Sequence, residues 1–524
     1  MFVEHIIFLL LAGVLGAYYA LNYHYNYWKR RKVSQIPPRF LLGNMAGILS
    51  MRRSPADFIN DLYNNSSVAD KPFVGIYVFH KPALLLREPA LIKRIMVKDF
   101  SDFSNRYSNS DYIKDPLGSQ NIFFLKNPAW KEVRLKLSPF FTSNKLRNMF
   151  ALIEEIGCNL DTYLRNIPLE NEMERSFQLE VKELCALFTT DVIASVAYGV
   201  QANSFKQVNS EFRRHGRAVF EFTFKRAVEF IMVFFLPNLV PFFGFKVVPV
   251  EAAKFLRSSI NHILMERERT GACRNDLIDI LIEFKRSNQK SVGSDHQKLI
   301  FEGDILVAQA VLFFTAGFES SSSTMAFALF ELAKHTDVQQ RLRAEIKEAL
   351  NTTGGVLTHS VIDSLQYMQM VLYEVLRLYP PLPFLDRECT TVNGADQEGY
   401  SLVPFHETFH IPSGMPIYIP VYALHMDAQY YSRPKLFLPD RFSTANRKLH
   451  RPYTYLPFGA GPHGCIGERF ALLQAKIGLV HLLRNHMVLT TKGTPNCLKL
   501  DPKALILQAH GGIHLKLVRD PLGI

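Results

Sequence analysis

Cys465 stands in the stretch Phe458-Gly459-Ala460-Gly461-Pro462-His463-Gly464-Cys465-Ile466-Gly467, which runs into an apolar helical pattern opening at Glu468. Glycine lacks a Cβ and lets backbone come close to a flat partner. A cysteine at a helix N-terminus is met by unpaired N–H groups and the positive end of the helix dipole, and both favour the thiolate. Such a loop presents one thiolate to something bulky and planar, and that chemistry calls for a metal. The plainer alternative, from the residue alone, is a small buried hydrophobe in a turn.

Two further groups of residues invite chemistry. Ala316-Gly317-Phe318-Glu319-Ser320, followed by Ser321-Ser322-Ser323-Thr324, puts a polar notch in a long apolar run. Glycine costs about 1 kcal/mol relative to alanine inside a helix, and hydroxyls bond back to carbonyls four residues earlier, so the notch is expected to weaken and bend the helix. Ala316, Ser320 and Thr324 share one face with Glu319 adjacent. The competing reading is a core helix whose hydroxyls satisfy its own carbonyls. The third group is Glu374 and Arg377, opposite charges three residues apart amid Val371, Leu372, Leu376 and Leu378. Charges in so apolar a setting must be paired, and Arg441 in Pro439-Asp440-Arg441-Phe442 is a candidate third member.

The elements that position these residues are mostly helical. Periodicity predicts helices over Val181–Tyr198, Phe301–His335 and Ser364–Tyr379. Phe73–Tyr77 and Ala83–Leu86 read as a β-hairpin, with later short strands at Ile417–Pro420, Val488–Thr491 and Ile513–Val518. The fold class is mainly α with small sheets. The 524 residues contain no linker, repeat or low-complexity tract, and 48% hydrophobic composition is enough for a sizeable core.

An almost wholly apolar run, Ile6 to Leu21, is followed by Tyr23, Tyr25, Tyr27 and Trp28, read as an interfacial belt, and then by Lys29-Arg30-Arg31-Lys32. The positive cluster after the apolar run, with no small-residue cleavage site, argues for a retained anchor rather than a cleaved signal peptide. Charge asymmetry puts the N-terminus in the lumen and the body in the cytosol. The division is a transmembrane anchor over residues 1–28, a basic stop with the Pro37-Pro38 hinge over 29–38, and one domain over 39–524. Phe230 to Pro249 is apolar and aromatic but broken by Pro237, Asn238 and Pro241, so it reads as core helix plus loop or as a segment dipping into the bilayer. Six cysteines without C-x-x-C spacing suggest neither zinc nor disulfides. A net charge of +12 without a nucleic-acid-binding motif favours an anionic membrane and an acidic protein partner, not nucleic acid.

The pattern Phe-x-x-Gly-x-His-x-Cys-x-Gly resembles the haem-binding loop of the cytochromes P-450, and the resemblance runs from about Pro37 to the C-terminus. Phe-Thr-Ala-Gly-Phe-Glu (314–319) and Arg-Leu-Tyr-Pro-Pro-Leu (377–382) look like the insect family-6 group. The resemblance implies the triangular helical P-450 fold, with haem b between the long central helix and the cysteine loop. It makes Cys465 the axial ligand of haem iron and Phe458 part of the haem cradle. Trp130, Arg134, Arg387, His463 and Arg106 become partners of the haem propionates. Glu319 and Ser320 become the acid and alcohol that deliver protons, and Glu374, Arg377 and Arg441 a structural triad behind the loop.

Two departures stand out. The family usually has Arg where this chain has His463, whose charge depends on pH, and threonine where it has Ser320, which puts coupling in doubt. The implied reaction inserts one atom of O2 into a lipophilic small molecule, with electrons from NADPH through a reductase, cytochrome b5 as a further partner, at the endoplasmic reticulum membrane. Stretches near 106–124, 205–245, 305–316, 380–387 and 507–512 would line the pocket, notably Phe123, Phe124, Phe313, Ala316 and Phe384. The substrate could be a xenobiotic or insecticide, or a hormone, pheromone or fatty acid. Rival classes are a haem-thiolate isomerase that needs no reductant and a non-enzymatic haem or ligand binder.

Overall fold

The computed structural model describes residues 2–221, 223–274, 276–289, 301–391 and 399–523. Residue 222, inside the 205–245 stretch, lies outside them. Among the described residues helices dominate, and three small sheets stand beside them. The axis of the molecule is the helix Asp304–Lys334, unbroken through the polar notch and buried along most of its length. Its principal neighbour is the helix Val181–Ile193, which continues as a π-helical turn over Ala194–Tyr198. Gly317 belongs to that contact, because a Cβ there would lie 2.4 Å from Ile193 Cδ1. The notch therefore admits a neighbouring helix and does not break its own.

The third member of this core is Glu468–Asn485, the helix that follows Cys465. At Gly478 a Cβ would meet Met325 Cε at 2.4 Å and the Phe188 ring at 2.7 Å, so a single glycine sets how closely all three helices approach. Glu180 caps the Val181–Ile193 helix by accepting from Lys182 N and Glu183 N, and it also accepts from Ile513 N at 2.8 Å. The cap thus ties that helix to the C-terminal sheet.

The largest sheet has four strands in the order Phe73–Val78, Lys81–Leu86, Pro416–Ile419, Leu385–Glu388. The first pair is an antiparallel hairpin with Phe73 opposite Leu86, and the second pairing is parallel. The Phe73–Val78 strand is buried throughout, as its continuous apolar run requires. A three-stranded antiparallel sheet orders Ser176–Glu180, His514–Arg519, His486–Leu489, and a two-stranded one pairs Tyr400–Ser401 with His410–Ile411. Ser176–Glu180 and Leu385–Glu388 carry no strand signature in the sequence; each is made a strand by its partner.

At the N-terminus the helix Phe2–Tyr25 contains a stretch, His5–Tyr25, long and apolar enough to cross a membrane. Its end corrects the interfacial-belt reading. Trp28 is fully buried, donates Nε1–H to the Ile76 carbonyl at 3.1 Å and packs its ring where a Cβ on Gly75 would stand 2.4 Å away. Tyr25 is buried as well, and its carbonyl accepts from the Tyr77 hydroxyl at 2.8 Å. Just beyond, Gln35 bridges Gly75 in parallel, and Ile36 N donates to the Gly75 carbonyl at 3.0 Å. These residues belong to the body's core. The apolar stretch after Phe230 divides in two: Phe230 to Phe235 is helical and largely buried, whereas Leu239, Phe242 and Phe243 beyond Pro237 are exposed. None of the six cysteines is in a disulfide.

Candidate active site

The cysteine loop is built by backbone. Cys465 N donates to the Phe458 carbonyl at 2.8 Å, and Gly464 N to Gly461 at 2.8 Å. Gly461 has φ +68°, and a Cβ there would lie 2.2 Å from the Met96 carbonyl oxygen, so no other residue fits that turn. Cys465 is exposed, yet it lies deep enough that burial pushes its thiol above the ordinary value. The Gly467 N–H, Arg134 and Arg106 pull the other way without winning. The helix terminus alone therefore does not make the thiolate; a bound metal ion would.

Beside the loop is a buried cationic cluster. Arg387 and Arg106 flank Asp386, with Arg106 Nη1 3.6 Å from its carboxylate and Arg387 Nη1 donating to its carbonyl at 2.7 Å. Arg106 Nε and Nη1 and Arg387 Nε are buried without a hydrogen-bond partner. Burial, then the Arg106 charge, pushes the Arg387 guanidinium down to about 9. Arg134, half-buried, is likewise lowered by burial and raised by Cys465. This cluster has room for more negative charge than Asp386 supplies.

His463 differs from these arginines. Its ring lies 3.9 Å from that of Trp130, centroid to centroid, and Nε2 is 2.8 Å from the Ser104 carbonyl. Burial, then Arg387 and Arg106, pushes it down to about 2, so it is neutral and donates Nε2–H to that carbonyl.

On the central helix the hydroxyls bond back: Ser320 Oγ to Ala316 O at 2.7 Å, Ser323 Oγ to Glu319 O at 2.8 Å, Thr324 Oγ1 to Ser320 O at 2.9 Å. Ala316 is nevertheless exposed, and Leu312, Phe313, Gly317 and Ser320 are partly so, on a helix buried along most of its length. That face opens on free space. Glu319 is buried against Lys182, whose Nζ is 3.2 Å away, and accepts from Gln508 Nε2, which also reaches Ser323 Oγ at 2.6 Å.

The expected pocket phenylalanines separate. Phe123 and Phe124 pack with Phe234, and Phe384 with Phe234, Phe235 and Tyr418, while Phe124 and Phe384 are buried in the wall. Phe313 instead stacks on Phe141 at 5.2 Å.

Behind the loop, Glu374 takes Arg377 in a two-pronged pair at 2.8 Å and 2.8 Å and Arg441 Nε at 3.2 Å, and its Oε1 also accepts from Leu438 N. Glu374 and Arg377 are fully buried. Asp386, Ser104 and Gln508 escape a reading of the sequence, because each acquires its role from a distant segment. Only the Asp beside Arg387 offered a local hint.

The fold and site define a helical enzyme that presents one thiol to a flat, anionic, metal-bearing group. A haem, with its planar macrocycle and two carboxylates, fits the exposed Sγ and the unpartnered guanidinium nitrogens. The family model described as Cytochrome P450 matches residues 35–517. The chain is 65% identical to "Probable cytochrome P450 6g2" of Drosophila melanogaster, over 99% of this chain and 100% of that protein. It is 41% identical to "Probable cytochrome P450 6t1" of the same organism over 95% and 92%, and 38% identical to "Cytochrome P450 6k1" of Blattella germanica over 97% and 95%. The chain belongs to the cytochrome P450 family, in the insect family-6 group, and is a haem-thiolate monooxygenase.

Proposed function

We propose that this enzyme inserts one oxygen atom of O2 into lipophilic small molecules, taking electrons singly from an NADPH-dependent reductase, with xenobiotics such as insecticides as its substrates. The reading is carried by the exposed thiol of Cys465 beside buried, unpartnered arginine nitrogens. Haem, when bound, supplies the oxygen-activating chemistry. Cys465 ligates it as the thiolate, and Arg106, Arg387 and Arg134 meet its carboxylates. The His463 ring packs against Trp130, with 3.9 Å between centroids, and keeps the indole in place beside the loop. Ser320 Oγ–H, now donated to the Ala316 carbonyl, is the last donor on the open face, with Glu319 behind it as the acid. Glu374, Arg377 and Arg441 hold the back of the loop. The Phe2–Tyr25 helix anchors the enzyme in the endoplasmic reticulum membrane with the body cytosolic, and exposed Leu239, Phe242 and Phe243 rest on the same surface. Reductase and cytochrome b5 meet the basic face near the cysteine loop.

The deciding experiment is turnover of a panel of lipophilic compounds with NADPH and reductase, omitting each in turn. Products that require both support the proposal. Rearranged peroxides formed without reductant would replace it with an isomerase. Turnover confined to fatty acids or hormones would move it to endogenous metabolism.

A further inference from the structure

His425 lies between the Glu374 clamp and the start of the cysteine loop and is fully buried. Its Nε2 is 2.8 Å from Leu456 N, and its Nδ1 is 3.1 Å from the Arg377 carbonyl. A backbone N–H only donates, so Nε2 is the bare nitrogen and Nδ1–H donates to Arg377. Arg377 Nη1 returns a bond to the His425 carbonyl at 2.8 Å. The ring also stacks on Tyr455 at 5.3 Å, with 23° between planes, and the Tyr455 hydroxyl donates to Tyr373, next to Glu374. Burial and the Arg377 charge push the imidazole down to about 3, so its acceptor nitrogen persists in mild acid.

From Leu456 the path continues to Cys465. Gly459 N closes a turn on the Leu456 carbonyl at 3.0 Å, and the Phe458 carbonyl within that turn accepts from Cys465 N at 2.8 Å. Hydrogen bonds thus run from the Arg377 carbonyl, through one imidazole, into the turn on which Cys465 hangs. A histidine there for packing alone would need neither nitrogen, and a phenylalanine would fill the volume and keep the stack.

We propose that His425 is a positioning residue for Cys465: its ring transmits the place of the Glu374–Arg377 clamp to the Leu456–Gly459 turn and thereby sets the approach of Sγ to the haem iron. The proposal rests on the haem-thiolate reading above.

The test uses the full-length, haem-loaded enzyme and three variants. His425→Phe keeps the ring but bonds to neither side. His425→Asn reaches the Arg377 carbonyl but falls short of Leu456 N, and His425→Gln carries an amide oxygen to Leu456 N. The readouts are the absorption of the reduced CO complex, the iron reduction potential and the thermal midpoint. In the Phe and Asn variants, the ratio of CO complex lacking the thiolate signature to that retaining it should rise about tenfold or more, as expected for a buried N–H left unpaired. The potential should move with it, and Gln should restore both. Phe and Asn variants with wild-type absorption and potential and only a lowered midpoint would overturn the proposal. If the Phe variant fails to fold, the Asn–Gln contrast decides, and equal spectra and potentials overturn it. Wild-type protein without the thiolate signature, or Cys465→Ala retaining it, would overturn the haem-thiolate reading instead.

Discussion

Single atoms set how this site departs from the pattern that the family resemblance implies. Ser320 keeps the hydroxyl but lacks the methyl that would restrict χ1, and its Oγ is already engaged by the Ala316 carbonyl. Ser320→Thr should therefore raise product formed per NADPH consumed at unchanged substrate affinity, and an unchanged ratio would discard the argument. Acid sensitivity is also a residue property. Burial pushes His486 down to about 4 and His425 to about 3. An unfolded histidine takes up its proton near pH 6.5, so stability is full above that value and falls as pH drops, until the folded value of each ring is reached. His486→Gln should reduce the stability lost between pH 7 and pH 5 by about 1–2 kcal/mol, read from urea midpoints at the two values. Cys465 stood out by residue type and local spacing, whereas Arg134 and Arg387 entered only through the family resemblance, because a lone arginine reads as a solvated surface charge. Asp386 was not legible, since its carboxylate is defined by Ser108 N, 278 residues away, and by Arg106.

Among the elements, the helices were the most legible, because a buried helix repeats its apolar face over several turns. Asp304–Lys334 and Gln366–Leu378 lie within a few residues of the ends that periodicity gives. What the pattern could not show is why the small residues are small. Gly317 looked like a weakness in its helix and turns out to be the place where Ile193 comes in. Gly478 makes the same point with a measurable consequence. Helix propensity alone has Gly478→Ala gaining about 1 kcal/mol. The new Cβ, however, would collide with the Phe188 ring and Met325, so a net loss of about 1–3 kcal/mol is expected from denaturation midpoints, with haem lost earlier in the transition. A stabilised variant would mean that the three-helix contact yields more easily than its distances imply. The short strands were less legible because Leu385–Glu388 carries two acids and an arginine, and its strand character comes from pairing with Pro416–Ile419.

At the scale of the whole molecule, sequence composition separates an apolar anchor from a globular body, and the division after residue 28 followed the change in residue type. The packing draws the line earlier. Tyr25 and Trp28 share a cluster with Tyr77, Leu84, Phe409 and Ile417, so the end of the Phe2–Tyr25 helix and the short helix Tyr27–Arg30 after it are part of what folds the body. A shortened protein prepared for work in solution should therefore begin upstream of Tyr25. One that starts at residue 29 leaves a hole the size of an indole beneath Gly75 and should lose about 3–5 kcal/mol, while one that starts at residue 23 should match the full-length chain in thermal midpoint. Equal midpoints for the two would return the boundary to residue 28. With the Phe2–Tyr25 helix in the bilayer as proposed, the same burial of Tyr25 and Trp28 should couple its tilt to the orientation of the body, so that the membrane sets how the oxygenase faces its surface.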